Sequence, residues 1–168
     1  MKDDHYDIDT LISTIRRTPH CRVLDPEGLP NIRKNERMPD DLKQFYTRCG
    51  GVHLFEGQPY SLTIVPPAQC IPANPVIVGE LFEDDISSTW YIIADDGNGD
   101  YLTIDLSPER LGRCYDSFED VHGVAGSCPI IATSFTDLLT RLYENKGQYW
   151  YWLRPDFVSL GDAYDDIM

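Results

Sequence analysis

Trp90-Tyr91-Ile92-Ile93-Ala94-Asp95-Asp96-Gly97-Asn98-Gly99-Asp100-Tyr101-Leu102-Thr103-Ile104-Asp105-Leu106 is the stretch that decides the fold class. Residues 90–94 and 101–106 are rich in β-branched and aromatic side chains, which pack well on a pleated sheet. The six residues between them, 95–100, are aspartate, asparagine and glycine, the residues that tolerate tight turns. Two such runs joined by such a turn read as an antiparallel hairpin. Upstream, Val52-His53-Leu54-Phe55 and Ser61-Leu62-Thr63-Ile64-Val65 are short strand-like runs split by Gly57 and Pro59. Downstream, Arg113-Cys114-Tyr115 adds a strand after Gly112, and Ile130-Ile131-Ala132 leads into the last helix. The segments around Pro66-Pro67 and Pro72 to Pro75 read as irregular.

Helical periodicity flanks this strand-rich middle. Ile8, Leu11, Ile12 and Ile15 recur at i, i+3, i+4 and i+7 behind Asp7, a candidate N-cap, so a helix is predicted over 7–17. Residues 26–30 are loop-like. Met38-Pro39-Asp40-Asp41-Leu42 opens a second helix, with proline suited to the first turn and two aspartates complementing the helix dipole. Leu42, Phe45, Tyr46 and Cys49 form its apolar face, and Gly50-Gly51 is expected to end it in the left-handed C-terminal conformation. Ser134 is an N-cap with Asp137 in the capping-box position, and Phe135, Leu138, Leu139 and Leu142 form a stripe that stops before Gly147. The order helix, helix, strands, helix is an α+β order, an antiparallel-rich sheet flanked by helices.

The chain has 168 residues, 42% of them hydrophobic, enough to bury roughly 70% of the unfolded surface in one domain without staples. That domain is expected over 1–168, with a motif-bearing core at about 36–143 and an aromatic, then acidic, tail at 149–168. No apolar run reaches the ~18 residues of a membrane span. The opening Met1-Lys2-Asp3-Asp4-His5 is acidic and no apolar h-region follows it, so a secretory signal is not expected. Five cysteines at uneven gaps offer no C-x-x-C spacing and read as reduced, buried thiols, so the expected location is cytoplasmic.

Charge is asymmetric. Residues 1–50 carry nine basic and nine acidic side chains, whereas 51–168 carry five basic and nineteen acidic ones, which accounts for the whole net charge of −14. A field of this sign repels nucleic-acid phosphates and anionic lipid headgroups and favours a basic partner.

The motifs of chemistry are weak. If Gly99 took position 6 of an EF-hand loop, position 1 would be Ala94, which has no ligand oxygen, and position 12 would be Asp105 rather than glutamate. The hexapeptide is therefore a turn. Cys114 or Cys128 with His122 could in principle pair as nucleophile and base, but no glycine-rich elbow accompanies them, and no phosphate-binding loop is present. Adjacent carboxylates such as Asp84 and Asp85, or Asp95 and Asp96, read as solvated acidic loops rather than an acid–base pair. No catalytic residue, metal or cofactor is expected.

What the sequence does offer is a surface. Glu83, Asp84 and Asp85, together with Asp95, Asp96 and Asp100 and extended by Glu119 and Asp120, would form one concentrated negative face if the hairpin tip and the loop before it lay together. In the aromatic run 149–152, alternate members are expected to pack on the core, and Trp150 or Trp152 is the candidate anchor for a partner.

Met38-Pro39-Asp40-Asp41-Leu42-Lys43-Gln44-Phe45-Tyr46 followed by Gly50-Gly51 resembles the opening helix of the SUKH superfamily, which groups bacterial immunity proteins with a fungal cell-wall assembly regulator. Cys49 stands where that family commonly has asparagine. Trp90, Ile93-Ala94, Gly99-Asp100 and Ile104-Asp105 match its central hairpin, 112–123 its next segment, and Ile131-Ala132-x-Ser134-Phe135-x-x-x-Leu139 its closing helix. The resemblance implies an α+β fold, no catalytic residues, and a protein that binds and neutralises a cognate toxin, often a nuclease. A regulatory interaction module of the cell-wall assembly regulator type is the alternative it carries, and an unrecognised hydrolase or metal-binding protein is the reading furthest from it.

Overall fold

The computed structural model describes residues 7–165; the acidic opening at 1–5 and Asp166 lie outside them. Seven strands, β1 (Arg22–Val23), β2 (Val52–Leu54), β3 (Leu62–Ile64), β4 (Trp90–Asp95), β5 (Tyr101–Asp105), β6 (Cys114–Ser117) and β7 (Ile130–Ala132), form one sheet in sequence order. Every neighbouring pair is antiparallel. The α+β class read from the sequence is the one observed. The β4–β5 hairpin is its centre, with Trp90 opposite Asp105, Asp95 opposite Tyr101, and a bulge between Ile92 and Ala94.

Helices α1 (Ile8–Arg16), α2 (Asp40–Arg48) and α4 (Phe135–Asn145) pack together over the main core. Asp7 caps α1 by accepting the Thr10 N–H at 2.7 Å, and Ser134 caps α4 by accepting that of Asp137 at 3.0 Å. The reciprocal half of the α4 box is displaced by one residue, since the Asp137 carboxylate takes the N–H of Thr133 rather than that of Ser134. Asp41 does more than complement its own helix. Its Oδ2 accepts both the N–H and the hydroxyl of Thr136, at 2.8 and 2.7 Å, and so ties α2 to the first turn of α4.

Two local expectations are corrected. Cys49 is extended, and Gly50 is not in the left-handed region, so α2 does not end in a glycine C-cap. Glycine is required at 50 by a close approach: a Cβ there would lie 2.1 Å from the carbonyl oxygen of Asp25. Gly51 does have a positive φ, +119°, and a Cβ on it would lie 2.5 Å from the carbonyl oxygen of Ile64. The proline-rich segment is not wholly irregular either. It contains the short helix α3 (Ala73–Ile77), in which Pro75 falls within the first turn, where no intrahelical N–H is needed.

The second face of the sheet has its own small core of Trp90, Tyr115, Cys128, Ile130, Ala163 and Tyr164. Trp90 stacks on Tyr115 at 4.2 Å. The C-terminal segment closes this face by backbone bonds from Ile130 to Gly161 and from Ala163 to Cys128. Asp162 there accepts the N–H groups of Gly126, Cys128 and Tyr164, so this acidic residue of the tail is a structural clasp.

Candidate functional site

The two halves of the expected acidic face lie at opposite ends of β4. Residues 83–85 lie before Trp90, its first residue, and 95–100 begin at Asp95, its last. The five steps from Trp90 to Asp95, at roughly 3.3 Å each, make the strand about 17 Å long. The strand sets the two groups at its two ends, and the loop 118–123 reaches both, through Glu119 at Asp100 and through His122 beside Asp85.

At the tip, the aspartates hold the turn. Asp95 Oδ1 accepts the N–H of Gly97 at 2.7 Å, and Asp96 Oδ1 accepts those of Asn98 and Asp100 at 2.7 and 3.1 Å. Asp100 Oδ1 in turn accepts the N–H of Glu119 at 2.9 Å, which brings the exposed Glu119 and Asp120 beside the tip. Asp95, Asp96 and Gly97 also line a hollow of about 500 Å³, whose other wall includes His53, Glu56 and Gln69.

At the other end, Glu83 and Asp84 are exposed, and Glu80 joins them. Glu83 is partly balanced by Arg33, 3.7 Å away, which the sequence did not single out. The same arginine is bonded to the buried Glu36, which also accepts the hydroxyl of Tyr91. Asp85 is less available. Its Oδ2 accepts the N–H and hydroxyl of Ser87, at 3.0 and 2.5 Å, and the hydroxyl of Tyr164 at 2.7 Å. Burial opposes its charge, but these donors outweigh burial and hold the carboxyl below its ordinary range.

The aromatic run does not alternate. Tyr151 and Trp152, consecutive in a 3-10 turn, are both buried, and the Trp152 indole donates to Asp116 at 2.9 Å. Trp152 therefore belongs to the core and is not a free anchor. Trp150 is half-buried, stacked on Trp152 and edge-on to Phe118 at 5.4 Å and Tyr60 at 4.9 Å. Tyr60 also meets the exposed Tyr149 at 5.3 Å. Phe118 precedes Glu119, so Trp150 sits in the aromatic group that adjoins the tip. Tyr60 and Tyr149 were missed because their pairing joins positions far apart in the chain.

The hydrogen bonds of Cys114, Cys128 and His122 run to other partners and not to one another. Cys114 and Cys128 lie against backbone carbonyls, and burial pushes both thiols up, Cys128 to about 12, so neither is a thiolate near neutral pH. His122 is buried with its Nε2 on Asn74 Oδ1 at 2.5 Å, and desolvation lowers its pKa to about 4. Among the described residues no group of three or more His, Cys, Asp or Glu side chains is placed to hold a metal ion. No helix among them is long and apolar enough to cross a membrane.

The SMI1 / KNR4 family (SUKH-1) matches residues 33–141, which begins at Arg33 and ends within α4. The chain belongs to the SMI1/KNR4 family (SUKH-1). Its family segment thus contains α2, strands β2–β7 and both acidic ends of β4. The chain is also 56% identical over 160 residues to Immunity protein YokJ of Bacillus subtilis (strain 168), covering 95% of this chain and 97% of that one. No solved structure matches it.

Proposed function

We propose that this SMI1/KNR4 family chain is an immunity protein that neutralises a cognate protein toxin by stoichiometric binding. The observation that carries the reading is 56% identity, along nearly the whole of both chains, to a protein named as an immunity protein. Binding without catalysis fits the surroundings of the reactive groups: the thiols are buried and protonated, and the conspicuous carboxylates at the tip bond backbone N–H groups. The mechanism is occlusion, in which this chain covers the toxin's active site or a surface beside it.

The toxin surface it meets is basic, as in a nuclease that holds an anionic substrate, and the partner is neither a nucleic acid nor a membrane. Glu83 and Asp84 at one end, and Asp95, Asp96, Asp100, Glu119 and Asp120 at the other, steer it. Trp150, with Tyr149 and Tyr60, supplies apolar contact beside the tip. A standard interface covers about 800 Å² per partner, broad enough to engage more than one such element. The resemblance in sequence to the SUKH superfamily also carries a second reading, a regulatory interaction module. Co-expression separates the two. Cells making the toxin encoded beside this chain survive when the chain is present if it is an immunity protein, and die regardless if it serves only regulation.

A further inference from the structure

One half of the sheet's second face is open. Cross-strand partners point to the same side of a sheet, as do residues two apart on a strand. The register therefore sets Arg22, His53, Thr63, Asp95 and Tyr101 in one row across β1 to β5, on the side that carries Tyr115. Over Trp90 and Tyr115 the C-terminal segment covers this side with Ala163 and Tyr164. Toward β1 the row stays open: Arg22 is exposed and His53, Thr63 and Asp95 are partly exposed, whereas Val52, Leu54, Leu62 and Ile64 of the other side are buried. The hollow of about 500 Å³ lies on this open half. Three connections wall it: the 55–61 loop through Glu56 and Ser61, the 66–69 turn through Gln69, and the hairpin tip through Asp95 and Asp96. His53 and Thr63, joined by a 2.8 Å bond, line it together with Leu24 and Leu62.

The charge at this end is uncompensated. The bonds that hold the turn reach only Oδ1 of Asp95 and of Asp96, which leaves the second oxygen of each for a partner. Glu56 is already matched by Arg22 in a two-pronged pair. Among the described residues no lysine or arginine lies within ion-pair distance of Asp95, Asp96, Asp100, Glu119 or Asp120. The other end of β4 differs, since Glu83 faces Arg33 and Asp85 is held by Ser87 and Tyr164. An aromatic ledge adjoins the hollow. Tyr60, next to Ser61 of its wall, is partly exposed and meets the exposed Tyr149 and the half-buried Trp150. Aromatic side chains of this kind are enriched in interface cores.

We propose that the toxin docks on this open half of the sheet: a surface loop carrying a lysine or arginine enters the hollow against Asp95 and Asp96, and apolar side chains beside it rest on Tyr60 and Tyr149. The charge of the hollow selects a cation, and Leu24 and Leu62 receive its aliphatic stem. Glu83 and Asp84 lie outside the contact and act only through their field. The proposal rests on the immunity reading and adds the place of contact and the chemistry of what fills it.

The test is the Kd of the full chain for a purified candidate toxin, one encoded beside it, measured by calorimetric titration. Gln69 is exposed on the wall of the hollow, so its charge can be changed without touching the core. Gln69→Arg is expected to raise Kd about tenfold and Gln69→Glu to lower it about threefold. Tyr149→Ala is expected to raise it about fivefold. Val76→Arg, exposed on α3 at the Trp90 end of β4, is expected to change it less than about twofold. Denaturant midpoints equal to that of the unaltered chain show that each variant is folded. Equal weakening by Gln69→Arg and Gln69→Glu overturns the cationic occupant. An unchanged Kd in both Gln69→Arg and Tyr149→Ala, or a tenfold rise in Val76→Arg, overturns the surface. Protection of cells by the unaltered chain, with a complex that Gln69→Arg leaves intact, removes the surface and keeps the immunity function; no protection and no complex removes that function and the surface with it.

Discussion

Asp100 accepts the backbone N–H of Glu119 at 2.9 Å, and this one bond fastens the tip of the central hairpin to the loop that follows β6. It groups five carboxylates and adjoins the aromatic cluster of Phe118, Trp150 and Tyr60. The remaining acidic group, at 83–85, lies beyond the other end of β4. The strand between them is about 17 Å long, against a Debye length of ~8 Å at physiological salt, and the loop 118–123 touches both groups, at Asp100 and beside Asp85.

Charge reversal measures that separation. Glu119→Lys with Asp120→Lys, and Glu83→Lys with Asp84→Lys, are each expected to slow association with the toxin about three- to tenfold. In the quadruple variant the two factors multiply if the groups act separately and fall short of the product if they share a screening volume. These four side chains are exposed, whereas Asp95 and Asp96 hold the turn and would confound steering with folding. Stopped-flow association at low and physiological salt reads the effect. Unchanged rates in the quadruple variant remove electrostatic steering from the account.

The two tryptophans should part company. Trp152→Phe removes the indole donor from the buried Asp116 and is expected to lower stability by about 1–3 kcal/mol in denaturant titration. Trp150→Ala is expected to cost less in stability but to speed toxin dissociation. The opposite ordering in both measurements would place Trp152 at the interface.

Stability should fall as pH drops from about 6.5 to about 4. His122 is neutral in the fold, with its pKa lowered to about 4 by burial, while the unfolded chain binds the proton near 6.5. The unfolded state therefore takes up more protons across that window, and the contribution lost is roughly 3 kcal/mol. His122→Gln, compared by denaturant midpoint at each pH, should flatten the slope. An unchanged slope assigns the dependence to other groups.

The sequence made the hairpin legible because both strands and the turn are contiguous, and the three long helices because their periodicity and caps are local. Contacts between distant segments were not legible. Gly50-Gly51 was visible as a motif, but its reason, the backbone oxygens of Asp25 and Ile64, comes from two other strands' surroundings. Asp41 capping the first turn of α4 and Arg33 reaching Glu83 belong to the same class. The candidate surface was legible in residue type only. The sequence supplied the acidic residues, and the strand between them set them apart. His122 was visible only as a residue type and Phe82 not at all, because an unmatched nitrogen and a left-handed aromatic exist only in three dimensions.

All five cysteines are buried, and burial raises every thiol, Cys70 and Cys128 to about 12. A thiol reagent at neutral pH is expected to react with almost none in the native chain and with five after denaturation. One rapidly reacting native thiol would point to an activated cysteine and reopen a catalytic reading.

The most direct test of the whole account is a titration, with this chain, of a purified candidate toxin, one encoded beside it, reading the toxin's own activity. The account predicts a linear fall that ends at a fixed molar ratio, with both proteins recovered intact from the complex. Continued loss of toxin activity at a small fraction of an equivalent, or full activity in excess of this chain, would contradict it.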